Sequence, residues 1–108
     1  MTAKVAFDTV DLPGGAACVR LTLSGGRANA LEPGLLGDLI SALDRAEAQD
    51  ARIILLCGGR NFSSGGDVRG FHSATLDGRG QDYARTVVPL LQTIVARLIA
   101  MPRLVVVA

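Results

Sequence analysis

Ile53-Ile54-Leu55-Leu56-Cys57-Gly58-Gly59, followed after Arg60-Asn61 by Phe62-Ser63-Ser64-Gly65-Gly66-Asp67-Val68, is the stretch on which the fold turns. The unbroken apolar run Ile53 to Cys57 reads as a strand covered on both faces. A strand that leaves the core through glycines and re-enters through Asp67 points successive backbone N–H groups outward, where they can hold an oxygen acquiring negative charge. The turn is not a nucleotide P-loop, since no Gly-Lys-Ser/Thr closes it, and it lacks the G-x-G-x-x-G order of a dinucleotide fingerprint. Glycine pairs alone are loop punctuation about four times in five, so the flanking sequence decides the reading.

Toward the amino terminus, Val5 to Val10 and Ala16 to Leu23 are extended segments separated by Leu12-Pro13-Gly14-Gly15, a combination that favours chain reversal. The second alternates, with Ala17, Val19, Leu21 and Leu23 on one face and Cys18, Arg20 and Thr22 on the other. Ser24-Gly25-Gly26-Arg27 breaks the pattern, and a helix starts near Pro33, which suits a first helical turn. Leu36, Leu39, Ile40, Leu43 and Ala46 recur at helical spacing along it.

Toward the carboxyl terminus, a short helix is expected over Val68 to Ser73 and a surface loop over Ala74 to Gln81. From Asp82 a helical stripe of Val87, Leu90, Leu91, Ile94, Val95, Leu98 and Met101 appears, with a start or kink near Pro89. Met101-Pro102 ends it, and Arg103 to Ala108 begins a further buried strand. Stopping inside an apolar β-branched strand leaves an aggregation-prone edge, so the chain is expected to be an amino-terminal fragment or half of a split polypeptide.

The 108 residues, 49% hydrophobic and 19% charged with a net charge of +1, describe one globular domain and disfavour both disorder and a basic nucleic-acid surface. Cys18 and Cys57 read as reduced core thiols of a cytosolic protein. No secretory signal is apparent, and the runs Ile53 to Cys57 and Leu104 to Ala108 are far shorter than the ~20 residues that cross a bilayer; a cytoplasmic location away from membranes is the expectation. His72, the lone histidine, has no partners at metal-ligand spacing and reads as a surface or groove residue. Ser63 and Ser64 have no neighbouring base, and turn hydrogen bonding is their expected role.

In order, a hairpin, Arg27-Ala28-Asn29-Ala30-Leu31, an amphipathic helix, Ile53 to Gly59, Phe62 to Val68 and the ending Met101 to Ala108 resemble the first part of the enoyl-CoA hydratase/isomerase, or crotonase, family. The resemblance implies an α/β crotonase-like ββα spiral fold, truncated after the strand ending at Ala108, with residues 1–108 a partial acyl-CoA-binding domain. Members act on acyl-CoA thioesters, many in fatty acid metabolism, and assemble as trimers or dimers of trimers. They need no cofactor beyond the CoA of the substrate. Two backbone amides hold the thioester oxygen as enolate charge develops; by resemblance the first is Gly66. Arg27, Ala28, Ala30, Ser64, Gly65, Gly66, Asp67, Val68 and Arg69 carry over as CoA or substrate contacts, with Arg27 and Arg69 placed to meet phosphates.

The family's second amide and its acidic residues lie beyond the strand represented here by Leu104 to Ala108. None of Glu32, Asp38, Asp44, Glu47, Asp67, Asp77 or Asp82 stands at a matching position. A missing oxyanion donor costs about 10² to 10³ in rate and missing acid/base groups about 10² to 10⁴, so the isolated chain is expected to be nearly inactive. The complete protein is expected to be an enoyl-CoA hydratase, with isomerisation, hydrolysis, decarboxylation and dehalogenation open on the same site. The alternative is a non-catalytic segment that binds CoA weakly or pairs with a complementary chain. RNA binding is disfavoured by dispersed arginines and the few aromatics Phe7, Phe62, Phe71 and Tyr83.

Overall fold

Leu12-Pro13-Gly14-Gly15 reverses the chain as its residues dictate. Gly14 and Gly15 take φ of +85° and +82°, and the Leu12 N–H donates to the Ala16 carbonyl at 3.2 Å. The hairpin joins β1 (Val5–Asp11) to β2 (Ala17–Leu23) in antiparallel register, Val5 opposite Leu23 and Asp11 opposite Ala17. The structure, a computed structural model, describes residues 4–108, and at Arg27 the backbone alone.

A four-residue turn of helix, α1 (Gly26–Asn29), occupies the expected break and leads to α2 (Pro33–Glu47). The chain then enters β3 (Ile53–Gly58), parallel to β2 with Cys18 beside Ile53 and Leu23 beside Gly58. After α3 (Val68–Leu76) and α4 (Gly80–Ala100) it closes on β4 (Leu104–Val107), parallel to β3. The sheet order is β1-β2-β3-β4.

The core lies on one face of this sheet. Val19, Leu21, Leu23, Ile54 and Leu56 are buried beneath Leu35, Leu36, Leu39, Leu43 and Ala46 of α2, with Ile94 and Met101 closing one end. The expectation that Ile53 to Cys57 is covered on both faces is corrected. Ile53, Leu55 and Cys57 are only half-buried, and beside them Leu104 and Val106 are exposed, because both long helices pack on the same side. Cys18 is the exception on the outer face: it is buried.

α2 is tied at both ends. Glu32 accepts from the N–H groups of Gly34 at 2.8 Å and Leu35 at 2.7 Å, satisfying donors that a helix start leaves unpaired, and pairs with Lys4 at 2.8 Å. Burial pushes the Glu32 carboxyl up, but the Lys4 ammonium and the two backbone N–H groups outweigh it and leave it below the usual carboxylate range. At the other end the Arg103 guanidinium donates to the carbonyls of Ala51, Glu47 and Gln49 at 2.8–3.1 Å, where a cation is favoured. Arg97 of α4 bonds Asp44 at 2.6 Å and Glu47 at 2.8 Å and so clasps α4 to α2.

One further expectation changes. Residues 74–81 are not a loop: α3 runs on to Leu76 and α4 starts at Gly80, leaving a turn at 77–79 in which Gly78 takes φ +73°. Of the two alternatives at Pro89, the earlier start holds, and Pro89 lies inside α4. At 21 residues, with mean hydropathy 1.2 over its most apolar 18, α4 is also the one helix among the described residues long and apolar enough, by length and composition, to cross a bilayer. Its inner stripe packs on the core through Ile94, Val87, Leu90, Leu91 and Leu98, while Val88, Val95 and Ile99 stay exposed.

The accessible surface is 6728 Å², against roughly 5,700 Å² expected of a compact monomer of this size. The radius of gyration is 15.0 Å, against about 13 Å for a compact domain of this length. Exposed Leu104 and Val106 on the outer face of the sheet and Val88, Val95 and Ile99 on α4 contribute apolar area to that surface.

The exit of β3 yields a paired prediction. A Cβ on Gly58 would lie 1.9 Å from the Asn61 carbonyl oxygen, whereas one on Gly59 meets nothing within 4 Å. Gly58→Ala is expected to lower stability by about 3 kcal/mol or abolish folding, and Gly59→Ala to change it by less than about 0.5 kcal/mol. Urea unfolding of the two variants measures the contrast, and equal effects would contradict this account of the turn.

Candidate functional site

The glycine turn is held from behind by Asn29. Ala28 and Asn29 take φ of +54° and +58°, a left-handed conformation that asparagine tolerates and alanine adopts at a cost. Asn29 is 6% exposed. Its Nδ2 donates to the carbonyls of Leu23 at 3.2 Å, Asn61 at 3.1 Å and Phe62 at 3.0 Å, binding the exit of β2 to the exit of β3. Ser63 Oγ completes the tie: it donates to the Asn29 carbonyl at 2.7 Å and accepts from the Gly65 N–H at 3.1 Å. The Ser64 N–H donates to the Ala28 carbonyl at 2.9 Å and the Leu31 N–H to the Gly65 carbonyl at 2.8 Å. Segments 28–31 and 61–65 therefore lie edge to edge.

From this anchored base the chain turns outward. Gly65 takes φ +96°, a region that requires glycine in practice. Gly66 does not share that constraint, and a Cβ there would meet nothing within 4 Å. At Asp67, φ −82° and ψ 80° with a Val68 N–H to Gly66 carbonyl bond of 3.0 Å make an inverse γ-turn. The Gly66 carbonyl is thus used internally, while its N–H has no hydrogen-bond acceptor among the described residues and the residue is exposed. Asp67 then caps α3: Oδ1 accepts from the Gly70 N–H at 3.1 Å and Oδ2 from the Tyr83 hydroxyl at 2.9 Å. Burial, then the bond to Asp67, pushes the Tyr83 phenol up to about 12.

Two hollows open beside Gly66. One, of about 420 Å³, is lined by Ala30, Ser64, Gly66, Asp67, Val68 and Arg69. The other, of about 250 Å³, runs between Gly66, Val68, Phe71, Tyr83, Val87 and Val88 and is almost wholly apolar. The Gly66 N–H, without an acceptor among the described residues, and the positive end of the α3 dipole lie at this region. The arrangement can hold an anionic or partly charged oxygen beside an apolar group.

Of the residues singled out from sequence, Ala30, Ser64, Gly66, Asp67, Val68 and Arg69 line one hollow together. Ala28 adjoins them through its bond to Ser64, and both backbone groups of Gly65 are engaged inside the turn. The side chain of Arg27 lies outside the described residues. The Ser64 and Val68 N–H groups are also engaged within the turn. His72 is exposed, and among the described residues no cluster of His, Cys, Asp and Glu is placed to hold a metal ion. Sequence reasoning missed two supports. Asn29 had one usable signal, a polar residue between Ala28 and Ala30 in an apolar context; Tyr83, sixteen residues from Asp67, had none.

No protein-family profile and no curated protein sequence matches the chain, but solved structures do. A Mycobacterium tuberculosis protein, described in one structure as a probable enoyl-CoA hydratase and in another as an enoyl-CoA isomerase, superposes with TM-scores of 0.73 and 0.71 at 23% and 26% identity. The alignments cover 96% and 99% of this chain and 40% and 42% of that one. An enoyl-CoA hydratase from Bacillus anthracis gives a TM-score of 0.77 at 22% identity, over 96% of this chain and 38% of the other. The fold is therefore the α/β fold of enoyl-CoA hydratase/isomerase, or crotonase, structures, and the chain spans about 40% of their length.

Two supports of the turn give measurable expectations. Asn29→Ala leaves three carbonyls without their shared donor and is expected to lower stability by about 3 kcal/mol, read from the urea midpoint; a loss below about 0.5 kcal/mol would show that the tie is idle. Tyr83 is the lone tyrosine in a chain without tryptophan, so phenolate absorbance reports it alone. With its folded value raised to about 12, its contribution to stability is complete below its unfolded value near 10 and is lost as pH rises through about 12. At pH 11 roughly a tenth of the folded chain is expected as phenolate against about nine tenths in denaturant; equal fractions, with the chain still folded, would contradict the part-buried bond to Asp67.

Proposed function

We propose that this chain is the acyl-CoA-binding segment of an enoyl-CoA hydratase/isomerase-type protein, in which the Gly66 N–H donates to the thioester carbonyl oxygen as that oxygen takes on enolate charge. One observation carries the reading: the N–H of an exposed glycine, with no acceptor among the described residues, stands at the start of α3 between a hollow of mixed lining and an apolar one. The acyl group would enter the apolar hollow, and the CoA moiety would follow the wall formed by Ala30, Ser64 and Arg69. A donor fixed by the fold needs no reorganisation as charge develops, and one such donor is worth about 10² to 10³ in rate.

In the complete protein, reversible addition of water to a 2-enoyl-CoA is the proposed reaction. Assembly as a trimer or dimer of trimers belongs to the same proposal. A second reading concerns these 108 residues by themselves: they bind CoA without turnover. It is favoured by Asp67, the carboxylate beside Gly66, whose two oxygens already accept from Gly70 and Tyr83, which leaves it badly placed to take a proton from substrate.

Two-dimensional ¹H–¹⁵N spectra of the chain titrated with acetoacetyl-CoA test the shared premise. The Gly66 amide resonance is expected to move with acetoacetyl-CoA and to stay in place with free CoA, which lacks the acyl oxygen. An unmoved Gly66 resonance at millimolar acetoacetyl-CoA would overturn it.

A further inference from the structure

Leu31 meets the glycine turn through its main chain. Its N–H donates to the Gly65 carbonyl at 2.8 Å, and Leu31 pairs with Gly66 as an isolated parallel bridge. The Gly65 carbonyl and the Gly66 N–H belong to one planar peptide group, and among the described residues no peptide bond is cis. In a trans peptide the carbonyl and the N–H point in opposite directions. The bond from Leu31 therefore fixes the line along which the Gly66 N–H leaves the turn, away from residues 28–31.

A peptide between two glycines needs such a hold, because neither residue has a side chain to restrict its rotation. A Cβ on Gly65 or on Gly66 would meet nothing within 4 Å, so packing does not supply it. Hydrogen bonds do. On one side of the Gly65 Cα, Ser63 Oγ accepts from the Gly65 N–H at 3.1 Å; on the other, the Leu31 N–H holds the Gly65 carbonyl. Leu31 is itself anchored, since its side chain packs against the core. Two residues before it, Asn29 is locked to the carbonyls of Leu23, Asn61 and Phe62.

We propose that Leu31 is a positioning residue whose backbone N–H, by holding the Gly65 carbonyl, aims the Gly66 N–H at the acyl oxygen. The inference rests on the reading of Gly66 as an oxygen-binding amide, but its first test needs no ligand. In a weakly aligned sample the N–H residual dipolar coupling of Gly66 reports the direction of that bond. Replacing Leu31 by its α-hydroxy acid puts an ester in place of the amide between residues 30 and 31, which removes the N–H and keeps the side chain. The Gly66 coupling is expected to change while those of α2 and β2 stay as in the parent chain. In titrations the ester variant is expected to bind acetoacetyl-CoA about tenfold more weakly, as loss of one hydrogen bond would give, and free CoA less than about twofold more weakly.

An unchanged Gly66 coupling in a folded ester variant overturns the proposal. So does equal weakening of acetoacetyl-CoA and CoA, which would make the Leu31 bond a general support of the groove. If the parent chain binds neither ligand, the functional reading fails, and the ligand-free dipolar coupling still decides whether Leu31 directs the amide. Should the ester variant not fold, the parent chain decides. A scalar coupling across the hydrogen bond is expected between the Leu31 nitrogen and the Gly65 carbonyl carbon, and ¹⁵N relaxation is expected to give Gly66 the order parameter of rigid backbone, about 0.85. Absence of the scalar coupling, or an order parameter below that of β3, overturns the proposal.

Discussion

A buried amide, that of Asn29, joins two passages of chain that would otherwise leave the sheet independently. An asparagine amide has two hydrogens, and here they are shared among three carbonyls at 3.0–3.2 Å, one at the end of β2 and two just past β3. Burial makes that sharing consequential, because a side-chain amide on a residue only 6% exposed must find its acceptors within the protein. The left-handed φ of Ala28 and Asn29 is local strain of about 1–3 kcal/mol per residue, tolerated because the surrounding bonds over-determine it.

The exits of β2 and β3 being locked, the glycine turn inherits a rigid base and an open rim. On the base side Asn29, Ser63, Gly65 and Leu31 are joined in sequence by 2.7–3.1 Å bonds. On the rim side the Gly66 carbonyl is taken up by Val68 while its N–H has no acceptor among the described residues. Asp67 closes the arrangement by capping α3 and accepting from Tyr83. The site is therefore made of main chain, and its side chains act mainly by holding that main chain still. Such a site suits stabilisation of charge that appears during a reaction, since preorganised amides do their work without moving.

Much of the architecture was legible in the sequence because it rests on local chemistry. Leu12-Pro13-Gly14-Gly15 states its turn, Pro33 marks the start of α2, and the alternation of Val19, Leu21 and Leu23 names the buried face. The failures have physical causes. Residues 74–81 read as a loop because Thr75 and Leu76 are exposed, so α3 ends without an apolar period, and because Gly78 marks a turn of only three residues. The run Ile53 to Cys57 looked covered on both faces, since composition reports what a strand can bury and not which helices lie over it. In the site, Gly65 and Gly66 were legible as a turn. The difference between them was not, for only the backbone shows that Gly65 needs its positive φ and that Gly66 leaves its amide open. Asn29 and Tyr83 act across 32 and 16 residues, and such pairings leave no periodic trace.

A crystal structure of the chain with acetoacetyl-CoA addresses the central claim most directly, through one distance. The account predicts the thioester oxygen about 2.7–3.1 Å from the Gly66 nitrogen, with the acyl chain against Phe71 and Val87. A ligand bound with that oxygen elsewhere, or a Gly66 N–H closed onto a protein carbonyl, would contradict it.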